Sequence, residues 1–195
     1  LSAEHTRRLS NLTVGGVFKL ADNRITTAGS QALNGQLYTN IGRVNIAGID
    51  ANLSWRHPCG AGTRVSYMFT HEHVRHGEPY TSSPRPHTAA VRLDYSRSWK
   101  NYALSVALNG RVLSAVTVDE YTSLTDYSET TPVRYPAYTM WRLNMTHTFL
   151  DAIDVTLAVD NLFNYVPKYY YNNSPTTNGT TLSAGVSIDI DRFFK

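Results

Sequence analysis

Apolar and polar residues alternate with a period of two along nearly the whole chain, a pattern that suits extended strands and no helix. Leu12, Val14, Phe18 and Leu20 alternate with Asn11, Thr13, Gly15 and Lys19, and Ile49, Ala51, Leu53 and Trp55 with Asp50, Asn52 and Ser54. The pattern returns around Val65 to Phe69, Ala89 to Tyr95, Tyr102 to Leu108, Trp141 to Met145, Ile153 to Val159 and Leu182 to Ile190. This predicts eight strands and no helix. Val44 and Ile46 have the opposite phase to Ile49, which predicts a bulge or bend at Gly48. Each strand has one face that must meet something apolar.

The connectors identify what that is. Short ones at His57 to Gly62, Ser96 to Asn101 and Leu150 to Ala152 alternate with long polar ones at about Thr27 to Asn40, His76 to Pro86, Thr117 to Pro136 and Asn164 to Gly179. Short turns at one end and long loops at the other belong to an antiparallel barrel of the outer-membrane type, whose outer face meets lipid. Charges sort accordingly: Arg64, Arg92, Asp94, Arg142, Asp154, Asp160 and Asp189 all take the polar phase, toward the lumen. Tyr38, Trp55, Tyr95, Trp99, Trp141 and Phe149 lie near strand ends, where an interfacial aromatic girdle would sit. A soluble sandwich also alternates, but it has no reason to sort its loops by length.

Composition removes other classes. No apolar run approaches the roughly 18 residues that a membrane helix needs, and the formal charge of +3 is too small to mark a nucleic-acid partner. The single cysteine, Cys59, excludes an internal disulfide and a cysteine cluster. There is no nucleophile elbow, phosphate loop or zinc-protease helix, so nothing points to an enzyme or calls for a cofactor.

Three stretches resemble a known family. Tyr38 to Asp50 followed by Leu53, Ser54 and Trp55, Pro86 and His87 leading to Val91 through Tyr95, and Val155 through Asn164 with its Asn-Leu-Phe segment are similar to the C-terminal barrel of TonB-dependent outer-membrane receptors. The resemblance implies that residues 1–195 form the last third of a 22-stranded barrel. It places a plug domain, the remaining strands and the region that engages the TonB complex outside this chain. The family usually ends on an aromatic residue, and here Phe193 and Phe194 are followed by Lys195. The implied location is the bacterial outer membrane, with its lipid as a partner. The implied function is energy-coupled uptake of a bulky nutrient, an iron siderophore or haem ahead of cobalamin or a glycan.

Candidate ligand contacts are Tyr80, Tyr121, Tyr127, Tyr135, Tyr169, Tyr170 and Tyr171, since tyrosines in loops supply rigid amphipathic surface. Girdle packing would use tyrosines as well. His71, His73 and His76 form the one metal- or haem-like cluster, although the alternation turns His71 and His73 toward the apolar side. Arg64, Arg92, Arg111 and Arg142, with Asp94, Asp154 and Asp160, are expected to face the lumen, pairing across strands or meeting the plug or substrate. Two alternatives stand beside this reading: a self-contained eight-stranded barrel of structural or adhesive role, and a soluble β-sandwich that binds carbohydrate.

Overall fold

The computed structural model describes residues 2–7, 10–30, 35–74, 84–122, 129–168 and 179–193. Strands β1 (Ser2–Arg7), β2 (Ser10–Ser30), β3 (Gly35–Arg56), β4 (Ala61–Val74), β5 (His87–Trp99) and β6 (Tyr102–Leu113) follow in order. After them come a separate pair, β7 (Val116–Tyr121) and β8 (Thr130–Tyr135), and then β9 (Tyr138–Phe149), β10 (Ile153–Asp160) and β11 (Thr181–Ile188). Nine of these make one antiparallel sheet in the order β1-β2-β3-β4-β5-β6-β9-β10-β11, while β7 pairs only with β8. The eight expected strands are β2 to β6 and β9 to β11; β1 and the β7–β8 hairpin are additional.

The sheet is a single layer. Among the described residues every extensive contact between elements joins hydrogen-bonded neighbours, and the apolar side chains of the sheet are left uncovered rather than packed on a second layer. That excludes the sandwich. With β1 and β11 at opposite edges, the sheet does not close into a small barrel either.

One face is apolar and open. Following the register, Tyr95, Val106, Met145, Leu157 and Ala184 form one lateral row on it, and Leu93, Leu108, Leu143, Val159 and Leu182 the next. Leu182 is 73% exposed, Val186 67% and Leu157 36%, although a water-soluble sheet would cover such side chains. The opposite face carries Arg64, Arg92, Asp94, Arg142, Asp154 and Asp160, as the alternation requires.

Several local expectations are corrected. No bulge occurs at Gly48: β3 keeps an unbroken register with both β2 and β4, so Val44 and Ile46 sit on the polar face. The stretch from Thr27 to Asn40 is mainly ladder, because β2 and β3 run on as a ribbon of 21 and 22 residues. A tilted strand needs only about 10 residues to cross a bilayer. Tyr38 lies on that ribbon opposite Thr27. Asp189 lies beyond β11, where its backbone N–H donates to the Ala152 carbonyl at 2.8 Å, and a helical turn, α1 (Ile190–Phe193), follows in place of more strand. Short turns follow β3 and β9 as expected, but the one expected at Ser96 to Asn101 shrinks to Lys100 and Asn101 because β5 runs on to Trp99. The β9–β10 connection places Leu150 and Asp151 both at φ 54, and Gly60 in the β3–β4 turn takes φ 95, a backbone that favours glycine.

Candidate functional site

On the polar face the pairing brings Ser54, Arg64, Arg92, Asn109 and Arg142 into one lateral row across β3, β4, β5, β6 and β9. Strands lie about 4.8 Å apart, so Arg64 and Arg142 are separated by roughly 14 Å. Arg64 and Arg92 stand directly opposite each other, an arrangement that like charges resist. Arg92 Nε turns to Asp94 Oδ1 at 3.4 Å, and Arg142 Nε reaches Asp160 Oδ1 at 3.2 Å and Asn144 Oδ1 at 3.1 Å. Glycine makes room for the first of these pairs: a Cβ on Gly62 would lie 2.6 Å from Asp94 Oδ2. Among the described residues Arg64 and Arg111 have no acidic partner, so the row keeps an excess of positive charge.

Beside Arg142 the wall holds a cavity of about 440 Å³ lined by Asn109, Arg111, Arg142, Asp160, Asn161 and Thr181 among others. Its upper rim is fixed by Asn161, only 4% exposed and at φ 51. The Asn161 side chain donates to the Tyr165 carbonyl at 2.8 Å and accepts from the Tyr165 N–H at 2.9 Å. Its own carbonyl accepts from Thr180 Oγ1 at 2.8 Å. Asn164, also left-handed at φ 53, accepts from the Thr180 N–H at 3.1 Å. The Asn-Leu-Phe-Asn segment thus turns the chain off β10 and ties it to the start of β11, satisfying backbone groups that a ladder would otherwise pair.

A second knot holds the hairpin. Arg85 donates through Nη1 to the carbonyls of Ser114 at 2.5 Å and Pro136 at 2.8 Å, and its guanidinium lies 4.9 Å from the centre of the Tyr138 ring. Tyr138 in turn stacks on Tyr165 at 5.0 Å and 5°. These contacts clamp both ends of the β7–β8 segment to the wall. Arg85 is not distinguishable from the sequence as a site residue, since it acts through main-chain groups that no side-chain pattern encodes, and Asn161 is marked there only as part of the Asn-Leu-Phe segment.

The expected ligand contacts divide. Tyr80, Tyr127, Tyr169, Tyr170, Tyr171 and His76 lie outside the described residues. Tyr121 ends β7 and is partly buried. Tyr135 is 7% exposed, packed with Val116 and Val118, and its hydroxyl donates to Glu120 Oε1, so it builds the hairpin. His71 and His73 lie opposite Ala47 and Asn45 on the apolar-side phase, and among the described residues no set of three His, Cys, Asp or Glu is placed to hold a metal. His71 also borders a polar cavity of about 370 Å³ with Glu72 and Arg134, between β4 and the hairpin base. On the β2–β3 ribbon, Arg43 Nε donates to Asp22 Oδ1 at 2.9 Å, and that bond, with the attraction between the charges, raises the guanidinium pKa. Asp154 is held by Thr148, which donates to it at 2.6 Å.

A nine-stranded antiparallel sheet with one open apolar face and one charged face is a piece of barrel wall, and the family described as TonB dependent receptor-like, beta-barrel matches residues 2–162. The chain belongs to that family. No curated protein matches it. Among solved structures, the FrpB iron transporter of Neisseria meningitidis is similar at 16% identity and a TM-score of 0.68 over 96% of this chain and 30% of that one. The ferric yersiniabactin uptake receptor FyuA of Yersinia pestis is similar at 15% identity and 0.67, over 96% and 28%. The copper transporter OprC is similar at 15% and 0.66, over 95% and 29%. The chain therefore spans about 30% or less of these structures, and it matches the barrel portion of TonB-dependent receptors. Members of the family are outer-membrane receptors and transporters built from a barrel and a plug.

Proposed function

We propose that this chain is wall from the C-terminal part of an outer-membrane receptor that takes up a bulky, anionic nutrient complex by an energy-coupled mechanism. The observation that carries the reading is the row of Arg64, Arg92 and Arg142 on the polar face, flanked by the 440 Å³ cavity. A cationic surface turned into a confined lumen raises the local concentration of anions, and arginine holds carboxylate and similar oxygen groups in bidentate fashion. An iron complex, as a siderophore or haem, is favoured over cobalamin or a glycan. The likenesses to an iron transporter, FrpB, and a ferric yersiniabactin receptor, FyuA, support that preference, and the likeness to a copper transporter, OprC, keeps another metal complex in view. Tyr80, Tyr121, Tyr127, Tyr169, Tyr170 and Tyr171 are proposed to contact the ligand from the outer loops. A plug domain, the other strands and the TonB-engaging region lie in the rest of the protein, and the open edges of β1 and β11 are where further wall would join.

The test is uptake by the full-length receptor in a Gram-negative host lacking its own iron receptors. Radio-iron supplied as anionic siderophore complexes or as haem should enter saturably, and a protonophore should stop it. Entry that ignores the protonophore would exclude energy coupling. Absence of entry for every iron complex tried would exclude iron as the cargo.

A further inference from the structure

Arg97 breaks the sorting of charge. In the β5–β6 register it lies opposite Leu104, and Leu104 lies opposite His147, so it shares the apolar face with Leu104, His147 and Val155. Among the described residues no carboxylate pairs with it. It is also far from arbitrary in its surroundings. Its guanidinium lies 5.5 Å from the centre of the Trp99 ring, Trp99 stacks on Tyr102 at 5.4 Å and 25°, and the Tyr102 hydroxyl is 2.7 Å from His147 Nδ1. Phe149 closes the array at 5.3 Å from Tyr102. Lys100 follows at once in the two-residue turn, exposed and with no carboxylate partner among the described residues.

Position decides what such a cation can meet. Arg97 is three residues from the short turn at Lys100, so along a tilted strand it lies on the order of 7 Å above the periplasmic end. That is headgroup depth, where aromatic belts form and long cationic side chains reach for phosphate. A charge on a lipid-facing wall is costly in hydrocarbon and cheap only near the interface. Here the ring of Trp99 already orients it, and the facing acid has to come from the membrane. On this basis we propose that Arg97, Trp99, Tyr102 and Lys100 form a binding site for the phosphate of a phospholipid in the periplasmic leaflet. Arg97 supplies the bidentate donor, Lys100 the second charge, and the stacked rings the wall beside the glycerol and upper acyl chain. The proposal rests on the barrel reading, which fixes which face meets lipid.

The full-length receptor in nanodiscs carries the test, with two photoactivatable phosphatidylglycerol probes, one reactive at the headgroup and one in mid-chain. The mid-chain probe should label the apolar rows at Val106, Leu143 and Leu157; if it does not, the barrel reading itself fails. The headgroup probe should label peptides spanning 95–104, and labelling spread evenly over all periplasmic turns would overturn the lipid site alone. In delipidated receptor, native mass spectrometry should give about a tenfold weaker affinity for phosphatidylglycerol in R97Q than in wild type, a smaller loss in R97K, and no loss in R56Q, whose charge lies on the other face. Diacylglycerol with the same chains should bind wild type as weakly as phosphatidylglycerol binds R97Q, and inorganic phosphate should not compete. Equal binding of both lipids by wild type, or equal losses in R97Q and R56Q, would overturn the proposal even if one variant assembles poorly.

Discussion

Strands β11 and β7 alternate alike in sequence, yet they end in opposite circumstances. Leu182 and Val186 on β11 are 73% and 67% exposed, whereas Val116 and Val118 on β7 are each 4% exposed. In the hairpin Val116 and Val118 stand beside their cross-strand partners Tyr135 and Val133, and that apolar side is buried within the protein. The wall turns its apolar side outward in rows that cross five strands. A period of two therefore says that one face is apolar, and only the environment says whether protein or lipid satisfies it.

The largest effect expected is from charging the outward face. Leu157→Arg, in mid-wall between Met145 and Ala184, should cost about 2–4 kcal/mol of assembled stability. Ser183→Arg, one row away on the polar face, should cost less than about 0.5 kcal/mol. Urea titration of the full receptor in lipid vesicles measures both. Equal losses would erase the distinction between the faces.

Next comes packing on the outward face itself. Gly110 stands opposite Trp141, whose ring occupies the space that a Cβ at Gly110 would need. Gly110→Ala should cost about 1–3 kcal/mol by forcing the ring aside. In a Trp141→Ala background the same change should cost much less, and a double-mutant cycle with no coupling would show that the glycine is there for some other reason.

The hairpin offers the contrasting case. Tyr135→Phe keeps the ring among Val116 and Val118 but loses the hydroxyl bond to Glu120, a loss of about 1 kcal/mol. Amide exchange in β7 and β8 should accelerate roughly fivefold while β9 and β10 keep their protection. Faster exchange in both regions would mean that the hairpin is part of the wall's cooperative unit, contrary to its separate pairing.

The same contrast explains what could be read from sequence. The wall strands were legible because most apolar side chains from Leu12 to Ile188 repeat at the period of the pleat, with Val44 and Ile46 among the exceptions. The hairpin was not, because Thr117 to Pro136 also contains the polar and turn-forming residues of a loop, and Val116 and Val118 are too few to stand out. The tall β2–β3 ribbon was missed for the opposite reason: above Asp22 and Arg43 neither face needs lipid, so the alternation fades while the ladder continues. Arg64, Arg92 and Arg142 share one face by phase alone, but their common row depends on register, which strand-by-strand phase does not contain. Arg97 escaped notice because Ser96 to Asn101 reads as a connector, whereas β5 runs on to Trp99 and carries Arg97 on the apolar phase between Tyr95 and Trp99.

The smallest effect should come from the polar face, where charge is cheap. The Arg142–Asp160 pair spans 3.2 Å with side chains 55% and 42% exposed, so water screens it and the pair is worth well under about 1 kcal/mol. Asp160→Asn should leave urea stability nearly unchanged, and the little it costs should vanish at high salt, where the Debye length falls to about 3 Å. Binding should move instead. With Asp160 neutral, the row of Arg64, Arg92 and Arg142 gains net positive charge beside the cavity, and an anionic iron complex should bind the full receptor more tightly at low salt. Unaltered or weaker binding, at unaltered stability, would mean that the cavity wall does not meet the anion, and the cationic row would then have to be assigned to the plug.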